Sequence, residues 1–546
     1  MTLEVPFLIV GGGPVGLLGA ILLGEQGRGA LVVERRDGPL RAPAAHVVNA
    51  RTFEICRQAG IDMDAVFAQA EDPAVAGHVN FVSRLGGSLV GRLPFERQGD
   101  ECLALTPTPL RNLSQHRFEP LLVGELRQRD GVDIRYRHQW ESSTADADGV
   151  TSVVTDLDSG ERIEVRSQYV IACDGAGSGV RKSLGIEMEG PPRLQSFVMV
   201  HFTADLSHAM GDNTGVLHFL LDPEVKGTFV FHGEDEWVLM LPFDPDAESP
   251  DDYDDERCTA AIRDSVVGEI GEIDIHNRGA WHMSAQVATG MGEGRIFLAG
   301  DAAHRFPPTG GLGLNTGAAD IHGLVWRLCA VDDGWAGPGV LATYATERLP
   351  VARQNTQASL DNAIKMVLLG PALGLDEDPS SAQLQRALAD PTRREAIADA
   401  VEAQATHFDM LGLQLGYRYG ESGRPETDPI RAFEPSGEPG ARLPHAWIGD
   451  AGMSTLDLVV HDSMTLISFG AFDEWQRVAE ASEVAVVHQP LTAAMQVDPD
   501  FRARCGVGSS GAVLVRPDHH VAWRSDDVDI EGLAHVLEQL LCLEVS

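Results

Sequence analysis

Four apolar residues in a row, Phe7 to Val10, lead into a glycine-rich turn, Gly11 to Gly16. An apolar segment, Val15 to Gln26, follows and stops at Gly27; a second apolar run, Ala30 to Val33, is closed by Glu34. Runs that are apolar on both faces predict buried parallel strands, and the segment between them predicts a helix, so the opening is a βαβ unit. Further helices are predicted over Arg51 to Ala59, Glu119 to Arg129 and near Thr316 to Leu328, and buried strands at Tyr169 to Cys173 and Arg295 to Ala299. Between Ser196 and Phe243 the pattern changes to short strand-like runs (Phe197 to Phe202, Gly215 to Leu221, Thr228 to His232, Trp237 to Leu241), which predict an antiparallel sheet in a separate layer. Asp244 to Asp255 is an acidic, turn-rich loop. Leu360 to Met410 reads as helical with breaks at Pro371, Pro379 and Pro391, and Thr427 to Pro444, rich in Pro, Gly and charge, as a linker. The last hundred residues form another α/β pattern: strands at Met464 to Phe469, Val484 to His488, Ala512 to Arg516 and His520 to Trp523, and a helix over Ile530 to Leu541.

A chain of 546 residues is too long for one core, so two or three domains are expected. With 43% hydrophobic and 23% charged residues the composition is that of a globular protein. The seven cysteines are dispersed, with no CxxC pair and no metal-ligand spacing, as expected of reduced thiols in a cytoplasmic protein. A formal net charge of -39 argues against nucleic acid and anionic membranes as partners. It also means that any phosphate-bearing cofactor must be held by local devices: helix N-termini, backbone N–H groups and a few arginines. The apolar start is not a signal sequence, because Glu4 stands where basic residues belong and glycines and Pro14 interrupt the run.

Within the βαβ unit, Gly11-Gly12-Gly13-Pro14-Val15-Gly16 has the spacing of a dinucleotide-binding turn. Gly11 permits the sharp turn, Gly13 lets backbone approach a pyrophosphate, and Gly16 lets the helix lie against the strand. Glu34 follows about twenty residues on, where a ribose-binding carboxylate belongs. This motif does not separate NAD from FAD. Two others bear on that: Cys173-Asp174-Gly175 after one strand, and Gly300-Asp301-Ala302-Ala303-His304 after another, the latter continuing through Pro308 and Gly311 to Asn315. Asp301 is suited to accept from a sugar hydroxyl, and the glycines after it expose N–H groups at a helix start.

The three motifs in this order resemble the single-component flavin monooxygenases related to para-hydroxybenzoate hydroxylase, over roughly residues 1–370. The segments Ala45 to Gly60 and Leu113 to Glu119 narrow the resemblance to phenol and chlorophenol monooxygenases and aromatic polyketide hydroxylases. The resemblance implies that Gly11, Gly13, Pro14, Val15, Gly16, Glu34, Arg35 and Gln115 hold the ADP half and linker of FAD. Gly300 and Asp301 then serve its ribityl or pyrophosphate region, and Pro308, Gly311, Leu312, Gly313, Leu314 and Asn315 line the isoalloxazine. Asp174 is associated with FAD and NAD(P)H. Relatives often carry an arginine where this chain has Ala44, a place Arg41 is a candidate to fill.

The implied architecture is α/β. A Rossmann-like FAD-binding domain occupies 1–185, with a substrate-domain insertion near 75–105, and resumes over 285–425; an antiparallel-sheet substrate domain spans 186–284; a thioredoxin-like domain without its redox CxxC spans 426–546. The implied reaction is transfer of one oxygen atom from O2, through a C4a-hydroperoxyflavin formed at the expense of NAD(P)H, to a small electron-rich aromatic ring: a phenol, a hydroxylated heteroaromatic or a polyketide. A Baeyer–Villiger oxygenation on the same scaffold and an idle flavin-binding protein are the alternatives, and a homodimer is an open expectation. The residues name no catalytic base: His201, His218 and His232 lie on the predicted sheet, and His304 in the flavin motif fits a structural role equally well.

Overall fold

The computed structural model describes residues 2–420, 430–449, 452–482 and 484–543. Its first half runs β1 (Phe7–Val10), α1 (Pro14–Glu25), β2 (Ala30–Glu34), α2 (Ala50–Gln58), β3 (His78–Val82), β4 (Leu89–Pro94), α3 (Gln115–Leu126), β5 (Val132–Tyr136) and β6 (Tyr169–Ala172). A second layer follows: β7 (Gln195–Thr203), β8 (Leu217–Leu220), β9 (Gly227–Phe231), β10 (Glu236–Phe243), α4 (Asp255–Asp264) and β11 (Asp274–Met283). The chain then returns to the first layer with β12 (Ile296–Leu298), α5 (Leu312–Asp332) and α6 (Val340–Lys365).

The first sheet has the order β12-β6-β1-β2-β5, all parallel, with the short strand Gly292–Glu293 antiparallel on the β12 edge. Phe7, Leu8 and Ile9 are completely buried in it, as strands covered on both faces require. Helix α1 packs against both α3 and α5. This is a Rossmann-like layer, with the carboxyl ends of β1, β2, β6 and β12 opening on one side.

The second sheet has seven strands in the order β11-β7-β10-β9-β8-β3-β4, antiparallel except where β8 pairs with β3. One face is closed by an apolar core that includes Val198, Val200, Phe202, Phe229, Trp237 and Leu239 together with Cys258 and Ile262 of α4. The other face carries the residues that alternate with these.

The C-terminal unit comprises β13 (Met464–Ser468), α7 (Phe472–Ala481), β14 (Val486–Pro490), β15 (Ala512–Val515), β16 (Val521–Ser525) and α8 (Ile530–Leu540). Its sheet order β14-β13-β15-β16, with β13 and β14 parallel and the other pairs antiparallel, is that of a thioredoxin-like fold.

Three features depart from the sequence expectation. The helix α6 runs for 26 residues with Pro350 inside it, where no helix was expected before Leu360. Pro371 lies within the short helix Leu369–Leu373 instead of breaking one. In the expected linker, 427–429 lie outside the described residues, and the remainder is packed: Ala441, Arg442 and Leu443 are buried, because Arg442 reaches the carboxylate of Glu54 in α2. Cys505 is buried. Cys542 is half-buried beyond α8, in left-handed backbone against Gly339.

Candidate functional site

The turn between β1 and α1 is built as its glycines dictate. Gly11 has φ +106°, and a Cβ there would stand 2.2 Å from the carbonyl oxygen of Cys173. A Cβ on Gly16 would stand 2.1 Å from the carbonyl oxygen of Gly11. Gly13 differs: it is the N-cap of α1 in extended backbone, with no side-chain cap, and a Cβ there would meet nothing within 4 Å. The first turn of α1, which starts at Pro14, therefore faces open space with unsatisfied N–H groups and the positive end of the helix dipole. Val15 lies beside Gly300 and Gly317, tying this turn to the start of α5.

Glu34 ends β2, buried, and its carboxylate accepts from the N–H of Gly12 at 2.7 Å and of Arg36 at 2.8 Å. Burial alone raises the carboxyl pKa; these N–H groups and the Arg36 guanidinium outweigh it and hold Glu34 below its ordinary value. Arg36 also donates to Glu119 of α3 and to the carbonyl of Gly12. The neighbouring Arg35 points outward and its guanidinium has no partner among the described residues. Arg41 is exposed and pairs with Asp37. Gln115, the first residue of α3, donates to Glu119 at 2.7 Å.

The loop after β12 forms the opposite wall. Gly300 has φ +61°, and its N–H donates to Asp320 at 3.2 Å. Asp301 retains exposed surface and has no hydrogen-bond partner among the described residues. Crowding protein nevertheless desolvates it and raises its carboxyl above the ordinary range, against the pull of His304 and Arg305. Exposure combined with desolvation marks the floor of a cleft. Pro308 is exposed at the rim. Gly311 caps α5 in left-handed backbone, φ +61°, and a Cβ there would lie 2.7 Å from Val47. Leu312 is buried, while Gly313 and Leu314 are half-buried, Gly313 beside the carboxylate of Asp301. Asn315 is buried and fully engaged: it accepts from the N–H of Asn49 and from Thr52, and donates to the carbonyls of Val47 and Gly311. It positions the loop.

Asp174 accepts from Ser178 at 2.5 Å and from the N–H of Val180, holding the turn after β6. His304 is completely buried, bonded to Asp320 at 2.6 Å and stacked on Phe306, which settles it as structural. Asp320 is bonded in turn to Arg348 of α6. His218 is buried against Asn80 on the closed side of the sheet. His201 and His232 lie on the other face, near His46 and His116. Sequence reasoning missed Arg36, Asp320 and His46; only His46 carried a signal, as a histidine within a quoted motif.

The cleft offers an uncapped helix start, a carboxylate at each end and a second helix start beyond Asp301. That donor set fits an extended cofactor with a pyrophosphate in the middle and hydroxyls to either side. Residues 4–359 match the FAD binding domain family, and residues 436–542 match the aromatic-ring hydroxylase C-terminal family. The chain belongs to the FAD-dependent aromatic-ring hydroxylases, enzymes that consume NAD(P)H and O2.

It is 34% identical over 572 residues to a putative polyketide hydroxylase of Streptomyces halstedii, covering 99% of this chain and 98% of that one. It is 30% identical over 562 residues to the 2,4-dichlorophenol 6-monooxygenase of Delftia acidovorans, covering 96% and 95%. Among solved structures, the flavin-dependent monooxygenase PieE in complex with FAD and substrate matches with a TM-score of 0.92 at 35% identity, over 99% of both chains.

Proposed function

We propose that this hydroxylase acts on a planar, multi-ring aromatic bearing a phenolic hydroxyl, held against the face of the seven-stranded sheet opposite its apolar core. The observation that carries the proposal is a row of apolar side chains fixed by strand register. Met199 pairs with Met240, Met240 with Thr228, and Thr228 with Phe219, and alongside them Phe197 pairs with Trp281. All of these are half-buried, whereas their neighbours on the other face of β7, β8 and β10, such as Val198, Val200, His218, Leu239 and Leu241, are buried. His201 and Glu236, on the same face, meet the start of α3, which directs this face toward the cleft. A flat apolar surface several strands wide suits stacked rings better than a single phenol.

In this assignment Gly13 and the start of α1 would hold the pyrophosphate of FAD and Glu34 its ribose. Asp301 would accept from a ribityl hydroxyl, and the N–H groups of Gly313 and Leu314 would donate to the polar edge of the ring system. Arg35, unpaired at the mouth, is available to the adenosine end. FAD, reduced by NAD(P)H, supplies activated oxygen derived from O2. The chain binds and orients the ring, excludes water behind the apolar row and handles the phenolic proton.

The test is a panel of one-ring and multi-ring phenols assayed for stimulated NAD(P)H oxidation, with product mass measured under labelled O2. Multi-ring phenols are expected to give the higher kcat/KM and one labelled oxygen in the product. A clear preference for single-ring phenols overturns the size assignment, and label from water overturns the oxygenation itself.

A further inference from the structure

We propose that the closed cavity beneath the start of α5, between Arg51 of α2 and Arg348 of α6, binds one small monovalent inorganic anion of halide size, which balances the buried charge behind the flavin cleft. It is a structural site and is independent of the substrate assigned above.

The cavity has a volume of about 20 Å³, room for one particle of roughly the size of a water molecule. Its wall includes Arg51, Asn315, Thr316, Arg348, Asn355 and Gln414, and every residue of that wall is buried. Arg51 directs Nη1 at Glu54 and at Nδ1 of His519, and Nη2 at Nδ1 of His322 and the carbonyl of Asp518. Its Nε is buried and makes no hydrogen bond among the described residues. Arg348 gives Nε to Asp320, Nη1 to Tyr419 and Nη2 to the carbonyl of Thr316, which leaves two of the five N–H groups of a guanidinium. Asn355 bonds through its NH2 to the Thr316 hydroxyl at 2.9 Å, and Gln414 to the Glu96 carboxyl at 3.0 Å; both amide oxygens are then buried without a donor. An amide turned over keeps its shape, and each of these keeps its neighbour as well, because a hydroxyl donates as readily as it accepts. Burial, with Asp409 alongside, pushes the Glu96 carboxyl up to about 8, so at neutral pH it too has a proton to give Gln414. In that orientation neither amide leaves an acceptor unpaired, and the wall presents N–H donors, the lining an anion requires.

Charge points the same way. Behind the cleft five arginines, Arg51, Arg327, Arg348, Arg442 and Arg516, share four carboxylates, Glu54, Asp320, Glu347 and Asp518. The pairs are contiguous. Arg51 and Arg442 meet on Glu54, Arg327 and Arg516 on Glu347, and Arg516 also reaches Asp518. Arg348 pairs with Asp320, and Tyr419 stands between Arg348 and Arg516. His322, His519 and His520, buried among these groups, are held by desolvation below the ordinary histidine range and add no cation. Glu96, protonated, adds no anion. Among the described residues the arginines therefore exceed the carboxylates by one, and an uncompensated charge is costly in a protein interior. The cavity touches two of the five arginines, including the one whose Nε is unsatisfied. A water molecule there would meet the donors and leave the charge; a single anion meets both.

The test uses the holoenzyme with chloride and bromide as probes. In thermal melts at fixed ionic strength and neutral pH, replacing sodium gluconate by either halide is expected to raise the unfolding temperature by about 2 °C. Crystals grown in bromide should show an anomalous peak between Arg51 and Arg348 when measured at the bromine edge. Arg51→Met brings the arginines level with the carboxylates, so both the halide-dependent rise and the peak should vanish. Asn355→Leu keeps the size of the side chain and removes a donor; it should lose most of the rise, and it decides the matter where Arg51→Met does not fold. Equal melts of wild type in all three salts, or a cavity that holds water with no anomalous signal, overturns the proposal. So does a halide effect that persists undiminished in Asn355→Leu, which would place the anion elsewhere.

Discussion

Asp320 is completely buried behind the cleft, yet the cleft depends on it. One oxygen takes the N–H of Gly300 and the ring of His304; the other takes Nε of Arg348. Asp320 and Arg348 are 0% and 1% exposed. Removing one partner of such a pair leaves the other charge buried and uncompensated, at a cost of about 3–5 kcal/mol. Asp320→Asn is therefore expected to lower the unfolding temperature and release flavin, measured by thermal melts and absorbance. Asp251→Asn, in the exposed acidic loop, should stay within about 0.5 kcal/mol of wild type. Equal effects would refute the keystone role. The contrast also marks what was legible. Glu34 and Asp301 stand in contiguous motifs, so the sequence pointed to them. Asp320 acts through partners at positions 300, 304 and 348, and nothing in its own neighbourhood distinguishes it. Arg35 and Arg36 are consecutive just past the end of β2, and only the second turns inward, onto Glu34 and Glu119.

At the scale of elements, the glycine turn separates two kinds of necessity. Gly16→Ala would place a carbon 2.1 Å from backbone, so it should prevent folding of the turn and yield insoluble protein. Gly13→Ala meets nothing within 4 Å of the chain and needs no unusual φ. The apoprotein should melt as wild type does, within about 0.5 kcal/mol, while FAD affinity falls tenfold or more, about 1.4 kcal/mol. Calorimetry of the apoprotein and a flavin titration check both halves, and unchanged FAD affinity would displace the pyrophosphate from α1. Elements such as β1, α1 and β2 were readable because their periodicity and punctuation are local. The strand β11 was not: its side chains are mostly exposed, so it carries no apolar alternation. The full length of α6 was hidden by Pro350.

Over the whole molecule, buried neutral histidines set the response to acid. Burial lowers His46, His218 and His445 from 6.5 to about 4, and His407 to about 3. Between pH 6.5 and about 4 the unfolded chain binds protons that the native chain refuses, so stability falls as pH falls through that window. Each such histidine contributes up to about 1.4 kcal/mol per pH unit. The unfolding temperature should therefore drop steeply below pH 6.5, and a flat profile down to about pH 5 would contradict the burial of these rings. The same scale holds the contact between the C-terminal unit and the flavin-binding layer, which is charged and buried. Arg442 pairs with Glu54, Arg516 with Glu347 and Asp518, and Asp518 with the indole of Trp326. Glu54 pairs with Arg51 inside α2, and its second cationic partner, Arg442, lies 388 residues further along the chain. During synthesis the glycine turn, α2 and the Asp301 loop all leave the ribosome before Arg442 and Arg516, which complete the charge pairs behind them. The charges behind the cleft are fully paired only once the C-terminal unit has docked, so a chain ended near residue 440 is expected to retain less flavin than the whole chain, which a flavin titration of the two checks.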